Sequence, residues 1–150
     1  ETIAEDALIH LLVDIVSKNG NLLLNVGPKA DGSIPEIQTG RLRALGKWLA
    51  VNGEAIYGAR PWERAEGNTA EGIGVRFTRK GTAIFAILLG RPKTAKITIQ
   101  SLTIPPGSQV SLLGGADQLE HKVEGGDLTV VLPEKLPESH AYALRITPGV

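Results

Sequence analysis

A short apolar run between two predicted helices is the feature that most constrains the fold. Residues 21–26 read NLLLNV and lie between an Asn-Gly helix stop and a Gly-Pro break. An unbroken apolar run of this length is typical of a strand buried on both faces, as in parallel sheets. Two flanking helices cannot bury such a strand alone. The run therefore predicts neighbouring strands that this chain lacks or that another chain supplies.

The residues on either side of this run carry the periodicity of helices. Over residues 4–16, leucine, isoleucine and valine recur at the i, i+3, i+4 and i+7 spacing, which predicts an amphipathic helix. A second helix is predicted over residues 35–51, since Pro35 suits a first helical turn and Trp48 falls on an apolar face that follows. Helix, buried strand and helix form the repeating unit of an α/β fold, either a doubly wound sheet or a (β/α) barrel.

The second half of the chain has the pattern of antiparallel strands. Residues 74–79 alternate, Lys80-Gly81 is a turn signal, and a more apolar run follows at residues 82–89, which together predict a hairpin. The spacing of a β-sandwich predicts further strands at residues 95–99, 109–113, 118–123, 128–132 and 141–146. We therefore expect an α/β element in residues 1–59 and an antiparallel β-sandwich in residues 60–150, with a linker near Pro61.

Charge and composition exclude several classes of function. The 150 residues include 16 Lys+Arg and 16 Asp+Glu, so the formal net charge is zero, whereas nucleic-acid binders normally carry a basic excess. No run of like charges indicates a membrane-surface patch, and every apolar stretch is shorter than the roughly 20 residues of a membrane helix. Without cysteine there is no disulfide or thiolate site. Because methionine is also absent, we expect the chain to be a piece of a longer protein.

The histidines do not form a recognisable metal or catalytic motif. His10, His121 and His140 are far apart in the sequence, and none has the spacing of metal ligands. His10 lies within a leucine-rich helix, where we expect a packed or supporting role, and the other two are expected at turns or strand ends. We predict no metal site, no cofactor and no catalytic residue in this chain.

The loop that follows the apolar run, NVGPKADGS over residues 25–33, is the most informative candidate site. If residues 21–26 are a barrel strand, this loop lies at the carboxyl end of the strand, on the face where barrel enzymes carry their active sites. Asn25, Lys29 and Asp31 are then candidates for substrate-proximal residues. Turn chemistry alone also accounts for these residue types, because Asp and Gly favour turns in which the Asp side chain caps the backbone.

Trp62 is the aromatic residue whose position suggests a role outside a core. It follows a proline in the predicted linker, where it could wedge the two domains together or contact a sugar. We favour the domain-interface role. A dedicated lectin function is weakly supported, because the other aromatic residues of the second half lie within strand patterns.

Two long stretches carry a specific resemblance to a known family. LIHLLVDIVSKNGNLLLNVGPKADGSIPEIQ (residues 8–38) and LGKWLAVNGEAIYGARPW (residues 45–62) resemble the end of the catalytic domain of α-L-fucosidases of glycoside hydrolase family 29. GTAIFAILLGRP (residues 81–92) resembles, more loosely, the β-sandwich that follows the barrel in that family.

The resemblance implies a retaining glycosidase on a (β/α)8-like barrel that cleaves terminal α-L-fucose from glycans without a metal. Retaining hydrolysis needs two carboxyl groups about 5 to 5.5 Å apart. In the family, the nucleophilic Asp and the acid/base Glu lie upstream of the stretches matched here, so the resemblance gives this chain no catalytic residue and implies that the chain alone is inactive.

We therefore expect the last helix-strand-helix of a barrel followed by a β-sandwich, with a missing N-terminal barrel portion and a fucosylated glycan as partners. The expected role is to complete and stabilise the catalytic barrel. The alternative is a non-catalytic carbohydrate-binding or oligomerisation module derived from the same framework, and a homo-oligomer stays open. The family's substrates make a secreted, periplasmic or lysosomal location plausible.

Overall fold

Two helices precede an antiparallel β-structure in the computed structural model, which describes residues 2–149. The helices are α1 (Glu5–Ser17) and α2 (Glu36–Asn52), and a 3-10 turn follows at Gly53–Ala55. The strands described are β1 (Arg60–Asn68), β2 (Gly74–Lys80), β3 (Ala83–Leu88), β4 (Lys96–Ile99), β5 (Gln109–Leu112), β6 (His121–Glu124), β7 (Asp127–Val131) and β8 (Tyr142–Thr147).

The strands form two antiparallel sheets. One has the order β1-β2-β3-β8-β5 and the other the order β4-β7-β6. The predicted hairpin is β2-β3, closed where Lys80 pairs with Ala83. Helices followed by an antiparallel sandwich confirm the predicted fold class. Strand β1 was not predicted, because its sequence RPWERAEGN is polar and its register shifts between Pro61 and Glu66.

Strand β3 is buried on both faces and joins the helices to the sandwich. All six side chains of AIFAIL are buried, and alternate side chains of a strand point to opposite faces. Ile84, Ala86 and Leu88 belong to the core between the two sheets. The opposite face packs against the helices in a second cluster, which includes Ala83, Phe85, Ile87, Ile9, Val13 and Trp48. The helices and the two sheets thus form three layers.

The helices lie close to where the sequence places them. The apolar stripe of α1 buries Leu8, Ile9 and Val13, and α1 is followed by Asn19 in the left-handed region at φ 62°, as the Asn-Gly stop predicts. Trp48 of α2 is 5% exposed, and its Nε1 donates to the Ala141 carbonyl at 3.0 Å, which confirms its place in the core. Among residues 2–149, none of the helices has the length and apolar character of a membrane-spanning segment.

The prediction of a buried strand at residues 21–26 is wrong for the chain by itself. These residues have no strand assignment, and the Leu23 side chain is 94% exposed. A strand buried on both faces needs neighbouring strands to which its backbone can bond. Both sheets of this chain are formed by later residues, β1 to β8, so residues 21–26 have no such neighbours here. The apolar run therefore lies on the surface of this chain without regular secondary structure.

A network of four charged side chains fixes α1 against the edge of the larger sheet. Lys18 Nζ lies 2.8 Å from Asp14 Oδ1 and 2.7 Å from Glu66 Oε1. Arg76 Nε lies 2.6 Å from the same Asp14 oxygen, and Arg76 Nη2 lies 3.4 Å from Glu66 Oε1. The network thereby connects α1 with β1 and β2.

Partial burial by itself raises the pKa of the Asp14 carboxyl, but hydrogen bonds and charges from Lys18 and Arg76 outweigh it and hold the pKa below its usual value. The hydrogen bond from Lys18, together with the charge of Arg76, also lowers the pKa of Glu66. A carboxyl group whose pKa is lower in the folded chain stabilises the fold above its unfolded pKa, and this contribution is lost as the pH falls through the folded pKa.

Truncating two leucines of different burial tests this packing. Leu8 is 1% exposed and Leu23 is 94% exposed. In the 150-residue chain, Leu8→Ala should lower the free energy of unfolding by about 2–5 kcal/mol because it leaves a cavity, whereas Leu23→Ala should change it by less than about 0.5 kcal/mol. Urea unfolding followed by circular dichroism measures both, and equal losses would contradict the exposed position of residues 21–26.

Asp14→Asn tests the charge network through its pH dependence. At pH 7 the variant should be less stable than the wild type, and the difference should shrink as the pH falls below about 4, where Asp14 takes up a proton in the unfolded wild type while its pKa stays lower in the folded chain. Urea midpoints between pH 7 and pH 3 measure it. Asp117→Asn removes an exposed carboxylate outside the network and serves as the control. A stability difference for Asp14→Asn that stays constant over this range would argue against the network.

Candidate functional site

The loop of residues 25–33 is a turn held by its own backbone. Lys29 N donates to the Ser33 carbonyl at 2.7 Å, and Gly32 N donates to the Lys29 carbonyl at 2.9 Å. Gly32 adopts φ 82°, a conformation that glycine enters without steric cost. At the start of the loop, Asn25 Oδ1 accepts from the next backbone amide, Val26 N, at 2.9 Å. All of these bonds lie within the loop itself.

Asp31 stabilises this turn with its carboxylate. Asp31 Oδ1 accepts from Ser33 Oγ at 2.6 Å and from Ser33 N at 2.9 Å. The hydroxyl hydrogen bond, followed by the backbone one, holds the pKa of Asp31 below its usual value, so the group is a carboxylate at neutral pH. The arrangement is the side-chain cap that turn chemistry predicts, and it leaves this carboxylate engaged within the loop.

Helix α2 fixes the position of the loop through Gln38. Gln38 Oε1 accepts from Gly27 N at 2.8 Å, which ties the residue after the apolar run to the first turn of the helix. Sequence reasoning did not identify Gln38, because nothing in a glutamine on a helix surface indicates which backbone amide it will meet. The loop is therefore braced from within and from α2.

Lys29 is the cationic residue of the loop and projects from it. Its side chain is exposed. Across the described part of the chain, its ammonium has neither a hydrogen-bond nor an ion-pair partner. The structure thus places Asn25, Lys29 and Asp31 in one loop, with the side chains of Asn25 and Asp31 bonded to its backbone and that of Lys29 exposed.

The histidines occupy supporting positions. His10 Nε2 lies 2.7 Å from the His140 carbonyl, which links α1 to the segment before β8, and His140 Nε2 lies 3.5 Å from Glu5 Oε2. His121 begins β6, and its Nδ1 lies 3.1 Å from the Leu119 carbonyl. No group of three or more His, Cys, Asp or Glu side chains in residues 2–149 could hold a metal ion.

Trp62 lies within β1 rather than in a linker. Its ring is tilted against Phe77, with 5.0 Å between the centroids. The Arg64 guanidinium carbon lies 5.7 Å from the Trp62 centroid and 4.7 Å from that of Phe77. Trp62 is half-buried against the core between the sheets. The linker position was wrong, since these residues pair with β2, and the interface role stays a prediction.

Sequence reasoning missed a groove of about 440 Å³ between α2 and the segment before β8. Its lining joins residues about 100 positions apart, and no local pattern signals such a meeting. The charged and polar side chains along it include Arg43, Lys47, Asn52, Glu138, Ser139 and His140. Glu5 also reaches the groove and forms an ion pair with Arg41, whose Nη1 lies 2.9 Å from Glu5 Oε1.

Comparison with known proteins places this fold in a family of glycosidases. The family model for α-L-fucosidase matches residues 1–54, and the model for the α-L-fucosidase C-terminal domain matches residues 68–147. The chain therefore belongs to the α-L-fucosidase family, as the resemblance of its two long stretches indicates.

The relatives are longer than this chain. It is 40% identical over 146 residues to the α-L-fucosidase of Branchiostoma floridae, covering 94% of this chain and 32% of the relative. It is 36% identical over 149 residues to human tissue α-L-fucosidase, and the match covers 95% of this chain and 31% of the relative.

Among solved structures, the Thermotoga maritima α-fucosidase is 42% identical with a TM-score of 0.91, covering 97% of this chain and 35% of that chain. The same values hold for its complex with fucose. The chain thus spans about a third of the curated relatives it matches.

Ser33→Ala tests the electrostatics of the loop. Removing the hydroxyl takes away the strongest contact to the Asp31 carboxylate, so the pKa of Asp31 should rise toward its usual value. Titration of the Asp31 carboxyl carbon by NMR measures this shift. Ser139→Ala is the control, because its hydroxyl donates to the Ala141 carbonyl instead. An Asp31 titration that is identical in wild type and Ser33→Ala would contradict the described turn.

Proposed function

We propose that this chain is the C-terminal portion of a retaining α-L-fucosidase, which hydrolyses terminal α-L-fucose from glycans. Residues 1–59 complete the catalytic (β/α) barrel, and residues 60–150 form the C-terminal β-sandwich. The observation that carries the proposal is the exposed apolar surface of the first 42 residues, on a chain that spans about a third of its curated relatives.

That surface is concentrated on one part of the chain. From Ile3 to Leu42, seven large apolar side chains are at least one-third exposed: Ile3, Leu11, Leu23, Leu24, Ile34, Ile37 and Leu42. Over the described residues after 59, Val123 alone is in this group. A contiguous patch of exposed apolar side chains marks a surface that a partner covers, and we infer that these seven side chains belong to one such surface. The N-terminal barrel portion is the partner that fits, because residues 21–26 need strands on both sides.

The chemistry of the reaction belongs to that missing portion. Retaining hydrolysis requires a carboxylate nucleophile and a carboxylic acid about 5 to 5.5 Å apart. The candidate loop has one carboxylate, Asp31, and Ser33 engages it. This chain contributes the closing segment of the barrel and the loop beside the substrate, with Asn25, Lys29 and Asp31 as its substrate-proximal residues. Alone it is inactive.

No observation favours the alternative of a carbohydrate-binding module. Sugar rings stack on exposed aromatic faces, and in the described part of the sandwich Phe77, Phe85 and Tyr142 are buried while Trp62 is half-buried. The exposed aromatic residue of the described chain is Tyr57, at 61%, and it lies before the sandwich.

The longer protein that carries this sequence should release fucose from an aryl α-L-fucoside, and the 150-residue chain should not. Proton NMR of the earliest product distinguishes the stereochemistry: retention gives the α anomer first. A folded longer protein without this activity, or one that gives the β anomer first, would contradict the proposal.

Leu23→Asp in the longer protein tests the role of the apolar surface. A charge in a segment that packs between barrel strands should abolish most of the soluble active enzyme, because the carboxylate would be buried without a partner. Val123→Asp changes a 39% exposed side chain of the sandwich and should leave the activity intact. Full activity of Leu23→Asp would show that the barrel does not cover this segment.

A further inference from the structure

A small apolar hollow lies between the two helices and two segments of the chain, residues 2–3 and 24–26. It has a volume of about 150 Å³, and its apolar lining consists of Ile3, Leu8, Leu24, Val26 and Leu42. Leu8 is buried, whereas Ile3, Leu24 and Leu42 are each more than one-third exposed. An apolar space of about this volume accepts a group the size of a benzene ring. The hollow therefore has room for one large apolar side chain.

Hydrogen bonds from α2 hold the two segments that form the walls of the hollow. Arg41 Nε donates to the Ile3 carbonyl at 2.8 Å, and Arg41 Nη1 donates to Glu5 Oε1 at 2.9 Å. Gln38 Oε1 accepts from Gly27 N at 2.8 Å. Gln38 and Arg41 themselves lie along the hollow, so the same helix fixes both walls. A site that is formed before binding lowers the entropic cost of association.

The missing N-terminal portion is the partner best placed to fill the hollow, an inference that rests on the proposed function. Three of the seven exposed apolar side chains, Ile3, Leu24 and Leu42, surround the hollow. The chain matches the C-terminal part of its relatives, so the missing portion joins it at residue 1, next to Thr2 and Ile3 of the lining. A partner tethered this close has a high effective concentration at the site.

The lining decides which kind of side chain the hollow takes. A charged group would lose its hydration against these aliphatic side chains without gaining a partner. Pockets that receive one apolar side chain supply much of the binding energy at protein interfaces. We propose that the hollow is an anchor site that receives one aliphatic or aromatic side chain of the missing N-terminal portion. Gln38 and Arg41 hold its walls in place for that contact.

A thiol placed at the rim of the hollow tests whether the missing portion covers it. The chain has no cysteine, so Leu42→Cys gives the 150-residue chain a single reactive thiol. A thiol reagent should modify this group rapidly there and about tenfold or more slowly in the longer enzyme, because reaction then requires local opening. Mass spectrometry of the peptide that contains position 42 measures both rates. Val123→Cys is the matched control, since Val123 is 39% exposed and Leu42 is 37% exposed, and it should react equally fast in both proteins.

A larger side chain distinguishes a filled hollow from one that is only covered. In the 150-residue chain, Leu42→Trp has open space to occupy and should leave the thermal midpoint equal or higher. In the longer enzyme the indole would compete with the proposed occupant, so the thermal midpoint should fall. Circular dichroism measures both midpoints, and Val123→Trp should shift them by the same amount in the two proteins.

The outcomes separate this proposal from the one on which it rests. An active longer enzyme whose Leu42→Cys thiol reacts as fast as in the 150-residue chain, or which tolerates Leu42→Trp equally well, would overturn the anchor site alone. Slow reaction already in the 150-residue chain would also overturn it, because the missing portion would then not be the occupant. A longer protein that releases no fucose would overturn the proposed function, while the reactivity at position 42 would still decide the anchor site. Slow reaction and a Leu42→Trp defect that are both confined to the longer enzyme would support the site.

Discussion

The burial of β3 on both faces is the constraint on which the rest of the structure depends. Its alternate side chains enter two cores, one between the sheets and one beneath the helices. Phe85 and Ile87 are fully buried against the helices, and each such side chain stabilises the packing by about 1.5–3 kcal/mol relative to exposure. The helices are therefore positioned by their packing on the sheet. The charge network of Asp14, Lys18, Glu66 and Arg76 connects α1 to strands β1 and β2.

This dependence means that both helices are positioned by contacts within this chain. Helices α1 and α2 bury one face each against the sheet, through Ile9 and Trp48, and need no barrel strands for that contact. Residues 21–26 have no such support, and Leu23 lies in solvent. The same chain thus contains helices that pack on the sheet and an apolar segment that, in our proposal, the missing portion covers.

The sequence predicted the elements that depend on a periodic apolar pattern or on contacts between residues close together in the chain. The α1 stripe, the Asn19 stop and the β2-β3 hairpin follow from neighbouring residues. Strand β1 was missed because its pairing with β2 overrides a polar sequence, and Gln38 was missed because its partner is set by tertiary packing. In the candidate loop, Asp31 has the turn role that its residue type predicts, whereas the exposure of Lys29 became known only from the structure.

Hydrogen exchange at residues 21–26 tests the central claim, that this chain completes a barrel, most directly. These amides should exchange rapidly in the 150-residue chain, where they lie outside both sheets, and should become strongly protected in the longer enzyme, where strands on both sides would bond them. The amides of β3 should be protected in both and serve as the internal reference. Equally rapid exchange at residues 21–26 in the folded longer enzyme would contradict the account.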